Sequence, residues 1–248
     1  LFPIRKSLKK KYLNKCDKVI CSGKDEISVL KNIFKIPEKK IAYMFNPIDT
    51  EQFKPRMKSE IVGKIDFDQN KKYFLYVGRL THNHGIEILL EVFKKICQNN
   101  KNIILLLIGD GSMKKKIKQY IQDNNLDDSI KLKGRLNHKI ISYYYNISSA
   151  LFHVGNSGGM PNVIMESIVS GLPVIAADSI AANKDLVNEQ DGTGILVETG
   201  NKVQLEQAIS KILIQNKNIE LKKSNNIKKF SIEKYGKEMN KIFEEITL

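Results

Sequence analysis

Apolar positions along this chain fall into short blocks that alternate between two periods. Asp17–Cys21 (DKVIC) and Lys40–Met44 (KIAYM) read as strands on either side of a helix over Lys24–Phe34. The segment NPIDTEQFKP then breaks the rhythm, with Asn46, Pro47 and Pro55 marking a turn and an extended connector. From Tyr73 the alternation resumes with a strand over YFLYV, helix Ile86–Cys97, strand Ile103–Ile108, helix Met113–Asn124 and strand Ile130–Leu132. Helix Lys139–Asn146, strand Ala150–Val154, a helix bearing Glu166 and strand Pro173–Ala176 follow. Gly194–Val197 predicts one more strand. Beyond it lie lysine-rich helices over Lys202–Gln215 and Ile219–Lys229, then a last helix, Ile232–Ile246, with Ser231 as its cap.

This alternation predicts an α/β fold, a Rossmann-like parallel sheet with helices on both faces. Met113, Ile117, Tyr120 and Ile121 recur at helical spacing, and the unbroken apolar run Ile103–Ile108 suits a central strand covered on both sides. Ligands of such sheets sit beyond the carboxyl ends of the strands, near the point where strand order reverses. Three loops qualify: Gly78–Gly85, Gly109–Ser112 and Gly155–Asn162.

The last of these opens the segment SGGMPNVIMESIVSGLPVIAA, Ser157 to Ala177. Gly158 and Gly159 permit unusual backbone angles, Pro161 suits a first helical turn, and the helix start aims free N–H groups at whatever lies above, which makes a phosphate seat. Glu166 follows about one turn later, in reach of a sugar hydroxyl; its other reading is a solvated side chain. Arg79 projects from a strand end, either to brace a diphosphate with parallel hydrogen bonds or to pair with a helix carboxylate. His82 and His84 share its loop and donate when protonated. No third ligand completes a metal site with them, so no metal is expected. Asp110 in Gly109-Asp110-Gly111 is expected to cap the next helix. Gly134-Arg135 lies near a base or ribose, or is a plain surface turn.

Composition narrows the classes. The 248 residues carry a formal charge of +14, nearly all of it lysine, with only four arginines. Specific nucleic-acid binding is not expected, because aromatics are not interleaved with arginine. Lys6, Lys9, Lys10 and Lys11 among Phe2, Ile4, Leu8 and Leu13 instead suit peripheral contact with an anionic membrane. The longest apolar run is too short to cross a bilayer, and the lysine-broken start has no apolar leader core. A cytoplasmic protein, peripheral at the inner face of the cell membrane, is the expectation. Three cysteines leave no metal spacing, and Cys16 and Cys21 are expected to pack in the core. No nucleophile with an adjacent base, no Walker loop and no strand followed by GxGxxG is present, which removes the usual signatures of hydrolase and hydride chemistry.

Together these pieces resemble the nucleotide-sugar half of a retaining GT-B glycosyltransferase of the group 1 family. The resemblance runs through YVGRLTHNHGIEILLEVF, LLLIGDGSMKKKI, IKLKGRL, SGGMPNVIMES and GLPVIAAD, in the family's order. It implies a remnant of an acceptor domain plus linker at 1–54, a donor-binding domain at 55–229 and a return helix at 230–248. It also implies sugar transfer from a nucleoside diphosphate, UDP- or GDP-linked, to a glycan or lipid-linked acceptor, with retention and without metal or cofactor. Arg79 and His84 would act on the departing diphosphate. Gly78, Arg135, Gly158, Gly159, Met160, Pro161, Asn162 and Glu166 would bind the donor, with Glu166 on the ribose. The pattern departs at His84, where the family usually has Lys, at Gly158, where it has a first Glu, and at Ala181-Ala182, where it has glycines. Those departures raise an alternative, a non-catalytic GT-B-like subunit that binds nucleotide or glycan beside an active partner.

Overall fold

The computed structural model describes residues 2–156, 159–214 and 227–247. The chain divides into two units, residues 1–49 with 225–248, and residues 50–224.

In the first unit, helix α1 (Phe2–Lys15), strand β1 (Val19–Cys21), helix α2 (Lys24–Asn32) and strand β2 (Ile41–Tyr43) form a small βαβ element. β1 and β2 run parallel. The lysine-broken pattern of the first fifteen residues did not predict α1. The Glu26 carboxylate accepts from the backbone N–H groups of Ser22 (3.0 Å) and Gly23 (3.3 Å), which fixes the start of α2. The last helix, α10 (Ile232–Thr247), belongs to this unit. Ser231 Oγ caps it by accepting from the Lys234 N–H at 3.1 Å. Ile48 N–H donates to the Phe230 carbonyl at 2.7 Å, and Lys18 pairs with Glu245 at 2.5 Å. Cys21 is buried as expected, but Cys16 is exposed, because it follows the end of α1 and does not reach the small core.

The second unit begins with an extended segment and one helical turn, α3 (Lys58–Ile61). Six parallel strands follow: β3 (Lys72–Val77), β4 (Ile103–Ile108), β5 (Ile130–Gly134), β6 (Ser148–His153), β7 (Val174–Ala177) and β8 (Gly194–Val197). Their order, β5-β4-β3-β6-β7-β8, is the doubly wound Rossmann arrangement, with the reversal between β3 and β6. β4 is buried at all six positions, the outcome its unbroken apolar run predicts. Side chains alternate across the sheet. Phe74, Tyr76, Leu105, Leu107, Ala150 and Phe152 face a core shared with α4 (Ile86–Asn99), α5 (Lys114–Asp123) and α9 (Lys202–Ile214). Phe74, Phe93 and Phe152 pack there ring to ring at 5.6–5.7 Å. Each fully buried Leu, Ile or Phe contributes about 1.5–3 kcal/mol. α6 (His138–Ile147) packs on β3 and β6, and α7 (Asn162–Val169) on β6 and β7.

Two boundaries differ in ways that bear on function. Pro161 is the residue before α7 and not its first helical position; the helix begins at Asn162. A short helix, α8 (Ala181–Leu186), stands where no helix was expected, because its alanine-rich sequence has no apolar stripe. The expected helix over Ile219–Lys229 lies mostly outside the described residues, and its end, Lys228–Phe230, is a 3-10 turn. Among the described residues no helix is long and apolar enough to cross a membrane, and no cluster of three metal-ligating side chains occurs.

Candidate functional site

At the carboxyl edge of the sheet, three loop backbones are pressed together. Gly78 N–H donates to the Ile108 carbonyl at 3.0 Å, and Leu80 N–H to the Asp110 carbonyl at 3.0 Å, so the β3 and β4 loops continue the ladder past the strands. Gly109 has φ +143°, and a Cβ there would lie 1.8 Å from the Gly78 carbonyl oxygen. The β6 loop approaches as closely. A Cβ on Gly155 would lie 2.6 Å from the Asn83 oxygen, and one on Gly85 2.7 Å from the Val154 oxygen. Asn156 N–H donates to Asn83 O at 3.0 Å across the same contact. The loops at the switch point therefore meet main chain to main chain.

Arg79 is exposed, and among the described residues its guanidinium makes no hydrogen bond or ion pair. Its carbonyl accepts from the buried Tyr76 hydroxyl at 2.8 Å, which anchors the backbone while leaving the charged end free. The ion pair with a helix carboxylate is thus not made. His82 instead takes that kind of partner, Glu87, at 2.9 Å. His84 Nδ1 shares a 2.7 Å hydrogen bond with Thr81 Oγ1. Burial, and then the Arg79 cation, push the His84 pKa below its ordinary value, so the ring is neutral at pH 7.

Asp110 does not cap α5. Its Oδ1 accepts from the Gly111 N–H at 2.9 Å, while Met113 precedes the helix with no side-chain cap. The tight glycine turn brings the carboxylate onto its own loop, four residues short of the helix start at Lys114. Arg135 is exposed at the end of β5, and its charge helps hold the Asp110 carboxyl below the usual range, after the Gly111 hydrogen bond and Lys114.

α7 starts at the same edge. Gly158 lies outside the described residues. A Cβ on Gly159 would meet nothing within 4 Å, so space stands open above the helix. Met160 is half-buried, Pro161 buried and Asn162 exposed, and Pro161, the residue before the helix, supplies no side-chain cap. Glu166, one turn in, is not solvated. It is 6% exposed, and its Oε2 accepts from the buried Tyr145 hydroxyl at 2.8 Å. Its Oε1 lies 3.8 Å from Nδ1 of His138, the first residue of α6. Phe53 stands edge-on to both Tyr145 (5.8 Å) and His138 (6.0 Å). Burial raises the Glu166 pKa, with Tyr145 and His138 opposing. Arg79, His84 and the three glycine loops thus form one group at the switch point, and Glu166, Tyr145 and His138 a second between α6 and α7.

Two residues escaped the sequence reading. His153 ends β6 beneath the glycine loop, and Asn183 in α8 is fully buried, donating to the Ala177 carbonyl at 2.7 Å. The signal for His153 was present: one imidazole closing the apolar strand ALFHV. Its Nδ1 is buried without a hydrogen-bond partner, and burial, reinforced by His84, drives its pKa down to about 4 against a pull from Asn183. A histidine depressed in the folded state stabilises the fold above its unfolded pKa near 6.5 and loses that contribution as pH falls toward 4. Stability is expected to drop by roughly 3 kcal/mol across that window, and a His153→Leu variant to flatten the drop in urea titrations at pH 7 and pH 4.5.

The doubly wound six-stranded parallel sheet, flanked by helices, has the fold of part of the GT-B glycosyltransferases. The chain belongs to the glycosyl transferases group 1 family, which residues 57–234 match. A relative from Campylobacter jejuni is 26% identical over 82% of this chain: N-acetylgalactosamine-N,N'-diacetylbacillosaminyl-diphospho-undecaprenol 4-alpha-N-acetylgalactosaminyltransferase. Sucrose-phosphate synthase from Thermosynechococcus elongatus superimposes with a TM-score of 0.84 at 22% identity, over 99% of this chain and 62% of that one. Anabaena HepE in complex with UDP-glucose gives 0.80 at 17% identity, over 97% of this chain and 67% of that one. The chain spans 52 to 60% of the length of the first curated relatives it matches.

Proposed function

We propose that this chain is the donor-binding part of a glycosyltransferase that moves a sugar from a UDP- or GDP-linked donor to a glycan or lipid-linked acceptor, with retention and without a metal. One observation carries the reading: Arg79 stands at the switch point beside the packed glycine loops of β3, β4 and β6, and among the described residues its guanidinium has no partner. Its guanidinium would meet the charge that builds on the departing diphosphate, and the start of α7 would add backbone N–H donors. Arg135, Gly78 and the Gly159–Asn162 segment would line the nucleotide. Glu166, held on one oxygen by Tyr145, keeps the other toward His138 and available to a ribose hydroxyl. The HepE complex with UDP-glucose supports a UDP-sugar, and the undecaprenol-linked substrate in the Campylobacter relative's name supports a lipid-linked acceptor.

The neutral, hydrogen-bonded state of His84 favours a second reading, a binding subunit with little turnover, because a neutral imidazole supplies less charge than an ammonium. Turnover of a nucleotide sugar by the full-length protein removes that reading. The donor itself is tested by thermal shift. UDP or GDP at 100 times its Kd is expected to stabilise the fold by about 2.7 kcal/mol, with NAD and ATP having no comparable effect. EDTA should leave the shift unchanged. Equal stabilisation by ATP or NAD would contradict the donor class.

A further inference from the structure

The two oxygens of the Glu166 carboxylate face two side chains of one helix. His138 and Tyr145 stand seven positions apart on α6, close to two full turns, so they project from the same face. Tyr145 is buried, and its hydroxyl occupies Oε2 at 2.8 Å. Oε1 is left with His138 Nδ1 at 3.8 Å, too long for a direct hydrogen bond, and it accepts none from any other described residue. The His138 side chain is 71% exposed, which puts the imidazole on the solvent side of the carboxylate. Its place is nevertheless fixed. Asn137 Oδ1 accepts from the Ile140 N–H at 2.9 Å and so sets the start of α6 at His138, and the buried Phe53 stands edge-on to the ring at 6.0 Å.

A carboxylate beside Nδ1 favours the proton on that nitrogen, so an acceptor and an N–H donor lie side by side without bonding to each other. Such a pair suits one hydroxyl group, which donates to Oε1 and accepts from Nδ1–H. We propose that His138 is a specificity residue for the donor: its Nδ1–H and Glu166 Oε1 together hold a ribose hydroxyl of the bound nucleotide. Tyr145 keeps the carboxylate in the plane that presents Oε1, and His138 supplies the donor that a carboxylate lacks. The proposal rests on the donor reading above and adds to it a residue that lies outside the glycine loops and α7.

Calorimetric titration of the wild type, His138→Phe and His138→Asn with UDP and GDP, and with the 2′,3′-dideoxy form of each, tests it. The wild type should bind its preferred nucleotide about tenfold or more tightly than the dideoxy form. His138→Phe keeps a ring against Phe53 but has no N–H. It should weaken the ribonucleotide about fivefold and leave the dideoxy form unchanged, so that the preference falls by the same factor. His138→Asn carries an amide N–H near the place of Nδ1 and should stay within about twofold of the wild type. The side chain is exposed, so neither variant should move the melting temperature. A preference that survives intact in His138→Phe overturns the proposal and leaves the donor reading standing. An equal loss for both forms also overturns it, because the ring would then act without reading the hydroxyls. Failure of the wild type to bind either ribonucleotide overturns the proposal and the donor reading together.

Discussion

Replacing Arg79 with alanine is expected to lower sugar transfer by the full-length protein about 10²- to 10³-fold, while its thermal midpoint stays unchanged. The two halves of this expectation rest on different observations. The guanidinium is exposed and has no partner among the described residues, so its removal takes no described contact from the fold. The backbone is held independently, through the Tyr76 hydroxyl on the Arg79 carbonyl, so the loop keeps its path in the variant. In the proposed role the guanidinium meets charge that develops as the diphosphate departs, which places the loss mainly in kcat. Steady-state kinetics with a purified nucleotide sugar check this. A stability loss matching the rate loss would assign Arg79 a structural role instead.

Gly109→Ala should have the largest effect on folding. The native φ of +143° is one that L-residues rarely adopt, and the added methyl would sit 1.8 Å from the Gly78 oxygen, far inside van der Waals contact. The conflict is with main chain, so no side-chain rotation relieves it. The β3 and β4 loops must separate, at the cost of the ladder bonds at Gly78 and Leu80. A loss of about 3 kcal/mol or more is expected in urea unfolding. Gly200 is the control. It too has a positive φ, +81°, but nothing lies within 4 Å of its Cβ direction, so Gly200→Ala should cost only about 1 kcal/mol. Equal losses at the two positions would show that backbone angle alone, and not the approach of the loops, sets the requirement.

The sheet was legible because its strands carry their burial in local sequence. Ile103–Ile108 and Gly194–Val197 form strands over the residues their apolar runs predict. Helices with an apolar stripe followed from periodicity to within a residue or two at their ends, as in Ile86–Asn99, expected to stop at Cys97. α1 and α8 did not, since neither carries an apolar stripe. The site was legible where it depends on local backbone chemistry, as at Gly78-Arg79 and Gly109. It was not legible where it depends on a partner distant in sequence. Glu166 is buried because Tyr145, twenty-one positions earlier, supplies a hydroxyl at 2.8 Å. The His84 pKa is lowered by burial, beneath the close approach of the β6 loop, and then by the Arg79 cation. Asp110 failed as a cap because the glycines on either side of it close a turn too tight for its carboxylate to leave.

In the proposed arrangement Arg79 holds the diphosphate and Glu166 the ribose of one bound nucleotide. Calorimetric titration of UDP and UMP into the wild type, Arg79→Ala and Glu166→Gln tests it most directly. Arg79→Ala should weaken UDP about tenfold or more and leave UMP nearly unchanged, while Glu166→Gln should weaken both by about tenfold. UDP affinity unchanged in both variants would contradict the account.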